Sequence, residues 1–163
     1  MNKAVILDRD GTINVDKGYV YKIEDFEFIP GVIESIKKLN DNGYKVIVIT
    51  NQSGIGRGYF ETEDVYRLHE YINSELLKYG AYIDAFYFCP HKPGDLCYCR
   101  KPRAGMYHRA IEDFDIDKKS MFLIGDKERD IVSAKLFECK YHLLNNGITL
   151  KKAVDKIVGG KNE

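Results

Sequence analysis

Short apolar runs alternate along the chain with longer segments of helical period. The apolar runs are bounded by polar residues and predict strands over 4–7, 44–50, 83–88, 120–124 and 141–144. Between them, apolar residues recur every three or four positions and predict helices over 31–42, 62–79, 106–114 and 150–158. The apolar residues of 13–29 show no regular spacing, which predicts a loop beside the first strand. Strands that alternate with helices in this way are typical of an open α/β sheet.

Two carboxylates stand where the first strand ends. Asp8 and Asp10 are two apart, and in an extended segment such residues point the same way. Carboxylates this close repel unless a cation or a shared proton compensates, and Mg²⁺ is a hard cation that prefers oxygen ligands. The pattern therefore favours a magnesium site at the carboxyl edge of the sheet, where such sheets bind ligands. The alternative is an acidic loop that only follows a strand.

Polar side chains stand at the end of the second strand. Thr50, Asn51, Gln52 and Ser53 reach the same sheet edge as Asp8, because parallel strands end together. We expect Thr50 to donate to a phosphate oxygen. Thr and Asn are also common turn residues that hydrogen-bond their own backbone, which is the structural alternative. His69 lies on the predicted helix that follows, and the sequence assigns it no role.

Closely spaced cysteines mark the loop 89–99. Three thiols and one imidazole fall within it, and prolines and a glycine let the chain fold back: Cys89, His91, Cys97 and Cys99 are the donors. Tetrahedral Zn²⁺ takes four such ligands, and a closed site is structural. Disulfides or unrelated free thiols are the alternatives. The fourth cysteine, Cys139, lies far from the others in the sequence, and we expect it to be a small buried residue of the core.

Two cations follow the last thiol directly. Lys101 would serve as a point charge against a phosphate, and Arg100 would hold two oxygens of a second anion. On composition alone the pair would be a solvated surface feature. A metal-fixed loop on one side and Pro102 on the other favour a functional position.

Acidic residues also follow the fourth strand. Asp126 and Asp130 are four apart and would share one face of a helical turn. We expect Asp126 to be a further magnesium ligand and Asp130 to support the metal through water or from the outer shell. Ion pairing of Asp130 with Lys127 or Arg129 is the alternative.

Charge and hydropathy exclude several kinds of partner. Lys plus Arg and Asp plus Glu each number 25 among 163 residues, so no basic excess indicates nucleic acid. No apolar run approaches the ~20 residues that span a membrane, and Asp8 and Asp10 interrupt any signal-peptide layout. We expect a cytoplasmic monomer with no nucleic-acid or membrane partner. One domain is predicted over 1–158, with a frayed tail over 159–163.

The motifs together resemble the haloacid dehalogenase superfamily of phosphotransferases. The resemblance rests on Asp8-Arg-Asp-Gly-Thr-Ile-Asn14, Thr50-Asn-Gln-Ser-Gly-Ile-Gly-Arg-Gly-Tyr59, the Cys/His loop with Arg100-Lys101-Pro102, and Gly125-Asp126-Lys127. Their order is similar to the zinc-containing branch of heptose bisphosphate and histidinol-phosphate phosphatases. The resemblance implies a Rossmann-like, three-layer fold with a central, mainly parallel sheet, a zinc-stabilised loop and no large cap domain.

The resemblance also implies roles for individual residues. Asp8 would be the nucleophile and Asp10 the general acid and base, with Thr50 and Lys101 stabilising the phosphoryl group. Mg²⁺ would be held by Asp8, the backbone carbonyl of Asp10, and Asp126. The positions that align with substrate contacts are Asp16, Lys17, Gly18, Tyr19, Asn51, Gln52, Ser53, Arg100 and Lys127.

The implied reaction is removal of the C7 phosphate from a heptose 1,7-bisphosphate through an aspartyl-phosphate, in heptose-nucleotide and lipopolysaccharide biosynthesis. Hydrolysis of histidinol phosphate is an alternative, because the spacing from His91 to Cys97 is short, as in that enzyme. A receiver-like signalling module that keeps its aspartyl-phosphate is a further alternative. The presence of Asp10 and of the metal loop argues against it.

Overall fold

The computed structural model describes residues 1–145 and 147–159. One parallel sheet contains the strands β1 (Asn2–Leu7), β2 (Lys45–Asn51), β3 (Ala85–Cys89), β4 (Ile116–Gly125) and β5 (Lys140–Leu143). The connecting helices are α1 (Val32–Asp41), α2 (Thr62–Leu77), α3 (Gly105–Asp113), α4 (Glu128–Leu136) and α5 (Leu150–Val158). The strand order is β3-β2-β1-β4-β5, so the strand that carries the first carboxylates is central.

Helices cover both faces of the sheet. On β1, Val5 and Leu7 face a core that also contains apolar residues of α1, α2 and α5. Ala4 and Ile6 point the other way, into a core shared with α3 and the segment after α4. The predicted three-layer α/β fold is therefore confirmed.

The register brings three strand ends to one edge. Leu7 lies beside Val48 of β2 and beside Ile124 of β4, so the residues that follow these strands emerge close together. The strand order reverses at β1, with β2 and β3 on one side of it and β4 and β5 on the other. Such a reversal of strand order opens a crevice at the carboxyl ends of the strands.

Most predicted elements lie within a few residues of the observed bounds, and the differences have local causes. β4 begins at Ile116 rather than at residue 120, because Ile116 pairs with Asn2 of β1. The prediction began the strand later because the charged residues 117–119 interrupt the apolar run. Residues 13–29 form a loop with a short 3-10 turn (Ile23–Asp25). Residues 160–163 of the predicted frayed tail lie outside the described part of the chain. No helix of the described part has the length and apolar character that crossing a membrane requires.

Candidate active site

A buried lysine links the ends of three segments. Nζ of Lys101 donates to Oδ1 of Asp8 at 3.1 Å, to Oδ1 of Asp130 at 3.0 Å and to the carbonyl oxygen of Ile49 at 2.8 Å. Burial works to lower the pKa of Lys101, but the carboxylates of Asp8 and Asp130 outweigh it and raise this pKa above its ordinary value. Lys101 therefore stays charged and fixes Asp8 beside the crevice.

Three carboxylates meet at the same place. Asp8, Asp126 and Asp130 each offer one oxygen to a group whose atoms lie within 4.8 Å of one another. Oδ1 of Asp126 and Oδ2 of Asp130 are buried and accept no hydrogen bond. Burial raises the pKa of both groups, and the nearby charge of Asp8 raises it further. A hard divalent cation fits this donor set, because it supplies the missing partner to oxygens that otherwise have none.

Two glycines allow the carboxylates to approach. A Cβ atom on Gly11, whose φ is +87°, would overlap the carboxylate of Asp126. A Cβ atom on Gly125 would likewise overlap the carboxylate of Asp130. The prediction that Asp126 and Asp130 share a helical face was wrong, since α4 begins only at Glu128. They meet because Asp130, in the first turn of α4, folds back over Gly125.

The carboxylate of Asp10 is oriented by hydrogen bonds from neighbouring side chains and stands apart from the three clustered carboxylates. It accepts from Nη2 of Arg9 at 3.0 Å, from Nδ2 of Asn14 at 3.0 Å and from Nε2 of Gln52 at 3.1 Å. Among the described residues, its oxygens do not belong to the group formed by the three other carboxylates. The metal contact predicted for Asp10 is one through its backbone carbonyl, so this arrangement of the carboxylate leaves it a prediction.

Sequence reasoning missed Arg9 and gave His69 no role. Arg9 is completely buried, and its Nη1 lies 3.2 Å from Nε2 of His69. A cation between two aspartates resembles a solvated charge. The alternation of the strand was an available signal, because a residue between Asp8 and Asp10 points to the opposite side, into the protein.

A cavity of about 120 Å³ opens over the ends of β1, β2 and β4. Its lining contains most of the predicted catalytic and substrate residues: Asp8, Asp10, Asp16, Tyr19, Thr50, Asn51, Gln52, Ser53 and Lys127. Four of the predicted catalytic and substrate residues are not part of this lining: Lys17, Gly18, Arg100 and Lys101. Nζ of Lys17 pairs with Oε1 of Glu27 at 3.2 Å, and Gly18 closes a turn in which its N–H donates to Asp16. Arg129 is a lining residue that was not predicted as a contact.

The polar residues at the end of β2 form hydrogen bonds with different partners. Oγ1 of Thr50 accepts from Gln52 at 3.0 Å, and its own contact with the Asn51 carbonyl is long, at 3.5 Å, which leaves the hydroxyl hydrogen for a ligand. The side chain of Asn51 bonds both backbone groups of Lys101, at 2.9 and 3.2 Å. Asn51 thus connects the end of β2 to the segment that carries the buried lysine.

Arg57, Arg100 and Arg129 come from separate segments but lie close enough for their charges to interact, and Arg129 lines the cavity. Burial lowers the pKa of Arg100, and the guanidinium groups of Arg129 and Arg57 lower it further. Among the described residues, no carboxylate forms an ion pair with any of the three. Nε of Arg129 is buried and has no hydrogen-bond partner. Like charges that converge without a carboxylate favour a bound anion.

The loop after β3 brings its predicted metal donors together. Sγ of Cys89, Nδ1 of His91, and Sγ of Cys97 and Cys99 all lie within 4.8 Å of one another. The cysteines are free, so no disulfide competes for these thiols, and Cys139 stands apart and partly buried. Three sulfurs and one imidazole nitrogen are a donor set of structural zinc, with which this geometry is compatible. Arg100 donates to the carbonyl of His91 at 3.1 Å, which ties the arginine to the loop.

Comparison with known proteins gives matches over most of the chain. A family model described as polynucleotide kinase 3 phosphatase matches residues 3–142. D-glycero-beta-D-manno-heptose-1,7-bisphosphate 7-phosphatase of Haemophilus ducreyi is 46% identical over 149 residues, which are 87% of this chain and 82% of that protein. The D-glycero-alpha-D-manno-heptose-1,7-bisphosphate 7-phosphatase of Campylobacter jejuni is 48% identical over 129 residues, covering 79% and 74%.

A solved structure is similar throughout. The D,D-heptose 1,7-bisphosphate phosphatase from B. bronchiseptica, complexed with magnesium and phosphate, superposes with a TM-score of 0.88 at 30% identity. The match covers 98% of this chain and 99% of that one.

Proposed function

Because this chain belongs to the heptose-1,7-bisphosphate 7-phosphatase family of the haloacid dehalogenase superfamily, we propose that it removes the C7 phosphate from D-glycero-D-manno-heptose 1,7-bisphosphate. The observation that carries the proposal is the meeting of Asp8, Asp126 and Asp130 around the buried Lys101, below a cavity that also contains Asp10. A nucleophile, a cation site and a proton carrier then stand at one strand edge.

The chain's own residues carry two chemical steps. A carboxylate oxygen of Asp8 attacks phosphorus in line, the bond from phosphorus to the sugar oxygen breaks, and Asp10 gives that oxygen a proton. Water then attacks the aspartyl-phosphate, and Asp10 takes the proton that the water loses. Lys101 and the hydroxyl of Thr50 stabilise the charge on the phosphoryl oxygens.

Magnesium would be held by Asp8, the backbone carbonyl of Asp10, and Asp126, with Asp130 as support. When bound, it would neutralise charge on the phosphoryl oxygens. Zinc would be held by the four donors of loop 89–99 and would fix that loop. A fixed loop keeps Lys101 and Arg100 in place, because both follow the last cysteine directly.

The second phosphate of the substrate would lie against the arginines. Arg100, Arg129 and Arg57 supply positive charge that no described carboxylate pairs, and the zinc loop orients Arg100 through the His91 carbonyl. The remaining substrate contacts that we propose line the cavity: Asp16, Tyr19, Asn51, Gln52, Ser53 and Lys127. A monophosphate such as histidinol phosphate would leave the arginine cluster without an anion. Cytoplasmic location and a monomeric state stay predictions.

Phosphate release with Mg²⁺ tests the proposal. The substrates are both anomers of heptose 1,7-bisphosphate, histidinol phosphate and a 3′-phosphorylated oligonucleotide, with Asp8→Asn as the inactive control. We expect a strong preference for a heptose bisphosphate. Preference for histidinol phosphate or the oligonucleotide would overturn the substrate assignment. Substantial turnover by Asp8→Asn would remove Asp8 as nucleophile, and a persistent aspartyl-phosphate without turnover would indicate signalling.

A further inference from the structure

Arg9 connects the carboxylate of Asp10 to the interior of the protein. Its side chain is 0% exposed although it lies between two residues of the crevice. Nη2 donates to Oδ1 and Oδ2 of Asp10, at 3.0 and 3.2 Å, and to the carbonyl of Val20 at 2.6 Å. Because Val20 follows Tyr19, which lines the cavity, one guanidinium nitrogen holds both Asp10 and a loop that contributes to the cavity wall.

His69 holds the other end of the guanidinium. Its Nε2 lies 3.2 Å from Nη1 of Arg9, and since a guanidinium only donates, the imidazole nitrogen accepts. The ring is stacked on Phe86, with centroids 4.2 Å apart and planes 15° from parallel. Burial, and after it the charge of Arg9, lowers the pKa of His69 to about 2, so the ring is neutral.

A neutral acceptor suits this position. A carboxylate in place of His69 would compete with Asp10 for the guanidinium and cancel its charge. An apolar side chain would leave Nη1 of Arg9 buried without a partner, and Nε already lacks one. The guanidinium would then turn toward other acceptors and release its contact with Asp10.

We propose that His69 is a positioning residue that acts through Arg9 to hold the Asp10 carboxylate where it protonates the leaving sugar oxygen. The inference rests on the proposed function, in which Asp10 carries that proton. Asn14 and Gln52 hold Asp10 from other sides, so loss of His69 misdirects the carboxylate rather than freeing it. Misplaced reacting groups lower the rate of a step without abolishing it.

Two substrates with different leaving groups distinguish a role of His69 in positioning Asp10 from a general effect on protein stability. Sugar and other alkyl phosphates need a proton on the departing oxygen, whereas p-nitrophenyl phosphate releases a stable anion without one. The variants are His69→Leu, which fills space without an acceptor, and His69→Gln, which keeps one. Ile72→Val, one turn along α2 in the same core, is the packing control. The ratio of kcat/KM for the two substrates does not depend on how much enzyme is folded.

We expect His69→Leu to lower kcat/KM for heptose bisphosphate by about 10- to 100-fold and that for p-nitrophenyl phosphate by less than about 3-fold. His69→Gln should recover most of the difference, and Ile72→Val should leave the ratio unchanged. An equal fall on both substrates, or identical behaviour of the Leu and Gln variants, would overturn the positioning role.

The wild-type enzyme distinguishes failure of this inference from failure of the proposed function. If it does not cleave heptose bisphosphate, the substrate assignment fails, and the same ratio is measured with the alkyl phosphate that it cleaves best. If it cleaves no alkyl phosphate at all, no proton transfer exists for His69 to support, and both proposals fail. Thermal melting of each variant shows that it is folded.

Discussion

Nζ of Lys101 lies 3.1 Å from Oδ1 of Asp8, and both side chains are buried. The same ammonium lies 3.0 Å from Oδ1 of Asp130, so one cation pairs with two largely buried carboxylates. Each charge of this trio is tolerated in the interior only because the others are present. Stability and chemistry therefore depend on the same contacts.

Replacement of Lys101 should damage both properties. Lys101→Met leaves two buried carboxylates unpaired, and we expect the free energy of unfolding to fall by about 3–5 kcal/mol. We expect kcat to fall by about 10²- to 10³-fold, since one preorganised charge near the phosphoryl oxygens is lost. Urea unfolding in metal-free buffer, where no cation can replace the ammonium, measures the first effect, and phosphate release measures the second.

A second substitution separates the two effects. Asp130→Asn in the Lys101→Met background removes one of the unpaired charges, so part of the stability should return while activity stays low. An unfolding free energy of Lys101→Met equal to that of the wild type would show that the trio does not hold these charges in the folded state.

The buried His69 should make stability depend on pH. Its pKa falls from 6.5 to about 2 on folding, because burial and Arg9 disfavour the charged ring. Below 6.5 the unfolded chain binds a proton that the folded chain does not, so the stabilisation is complete above 6.5 and declines as the pH falls. Between pH 7 and pH 5 this one group should remove about 2 kcal/mol.

Comparison with His69→Gln isolates that contribution. Glutamine keeps an acceptor for Arg9 but does not titrate, while all other groups stay the same. The unfolding free energy of the wild type should therefore fall by about 2 kcal/mol more than that of the variant from pH 7 to pH 5. If the unfolding free energies of the wild type and the variant changed equally with pH, His69 would have the same pKa in the folded and the unfolded chain.

The sequence located the strand ends well because apolar runs stop at polar residues. Asp8 and Thr50 follow such a run directly, Asp126 follows one after a single glycine, and parallel strands bring their ends to one edge. The family predicted from these motifs is confirmed by relatives such as the Haemophilus ducreyi enzyme.

Contacts across long sequence separations could not be predicted in the same way. Helical period places His69 on the buried side of α2, but it does not say that Arg9, 60 positions earlier, faces it. Ion pairing with Lys127 or Arg129 was the alternative considered for Asp130, which instead pairs with Lys101 from another loop. Single-element patterns show which side of an element is buried, and tertiary structure decides what meets there.

Removal of the zinc ligands should destabilise the protein. We expect about one zinc per chain, and Cys97→Ser or Cys99→Ser should lose it. At free zinc about 100-fold above the dissociation constant, linkage alone corresponds to about 2.7 kcal/mol of unfolding free energy. Cys139→Ser, a cysteine outside the metal group, is the matched control and should keep both metal and stability. Unchanged stability of the Cys97 and Cys99 variants would reject a structural metal.

Arg129 should affect bisphosphates selectively. Its buried Nε has no partner, and it lies near Arg100, so an anion that reaches both would gain a charge-assisted hydrogen bond. Arg129→Ala should lower kcat/KM for heptose 1,7-bisphosphate by about 10- to 100-fold, since such a bond is worth about 1.5–3 kcal/mol. The value for p-nitrophenyl phosphate, which has no second phosphate, should change by less than about 3-fold.

Controls decide whether the effect comes from the second phosphate. Arg67→Ala removes an exposed arginine on α2 that pairs with Asp64 at 3.0 Å, and it should change neither substrate. Arg129→Lys keeps the charge without the planar donors and should fall between the wild type and Arg129→Ala. Equal losses on both substrates would instead place Arg129 at the transferred phosphoryl group. The arginine cluster would then serve the reaction itself, because an anion site for the uncleaved phosphate cannot influence a substrate that lacks one.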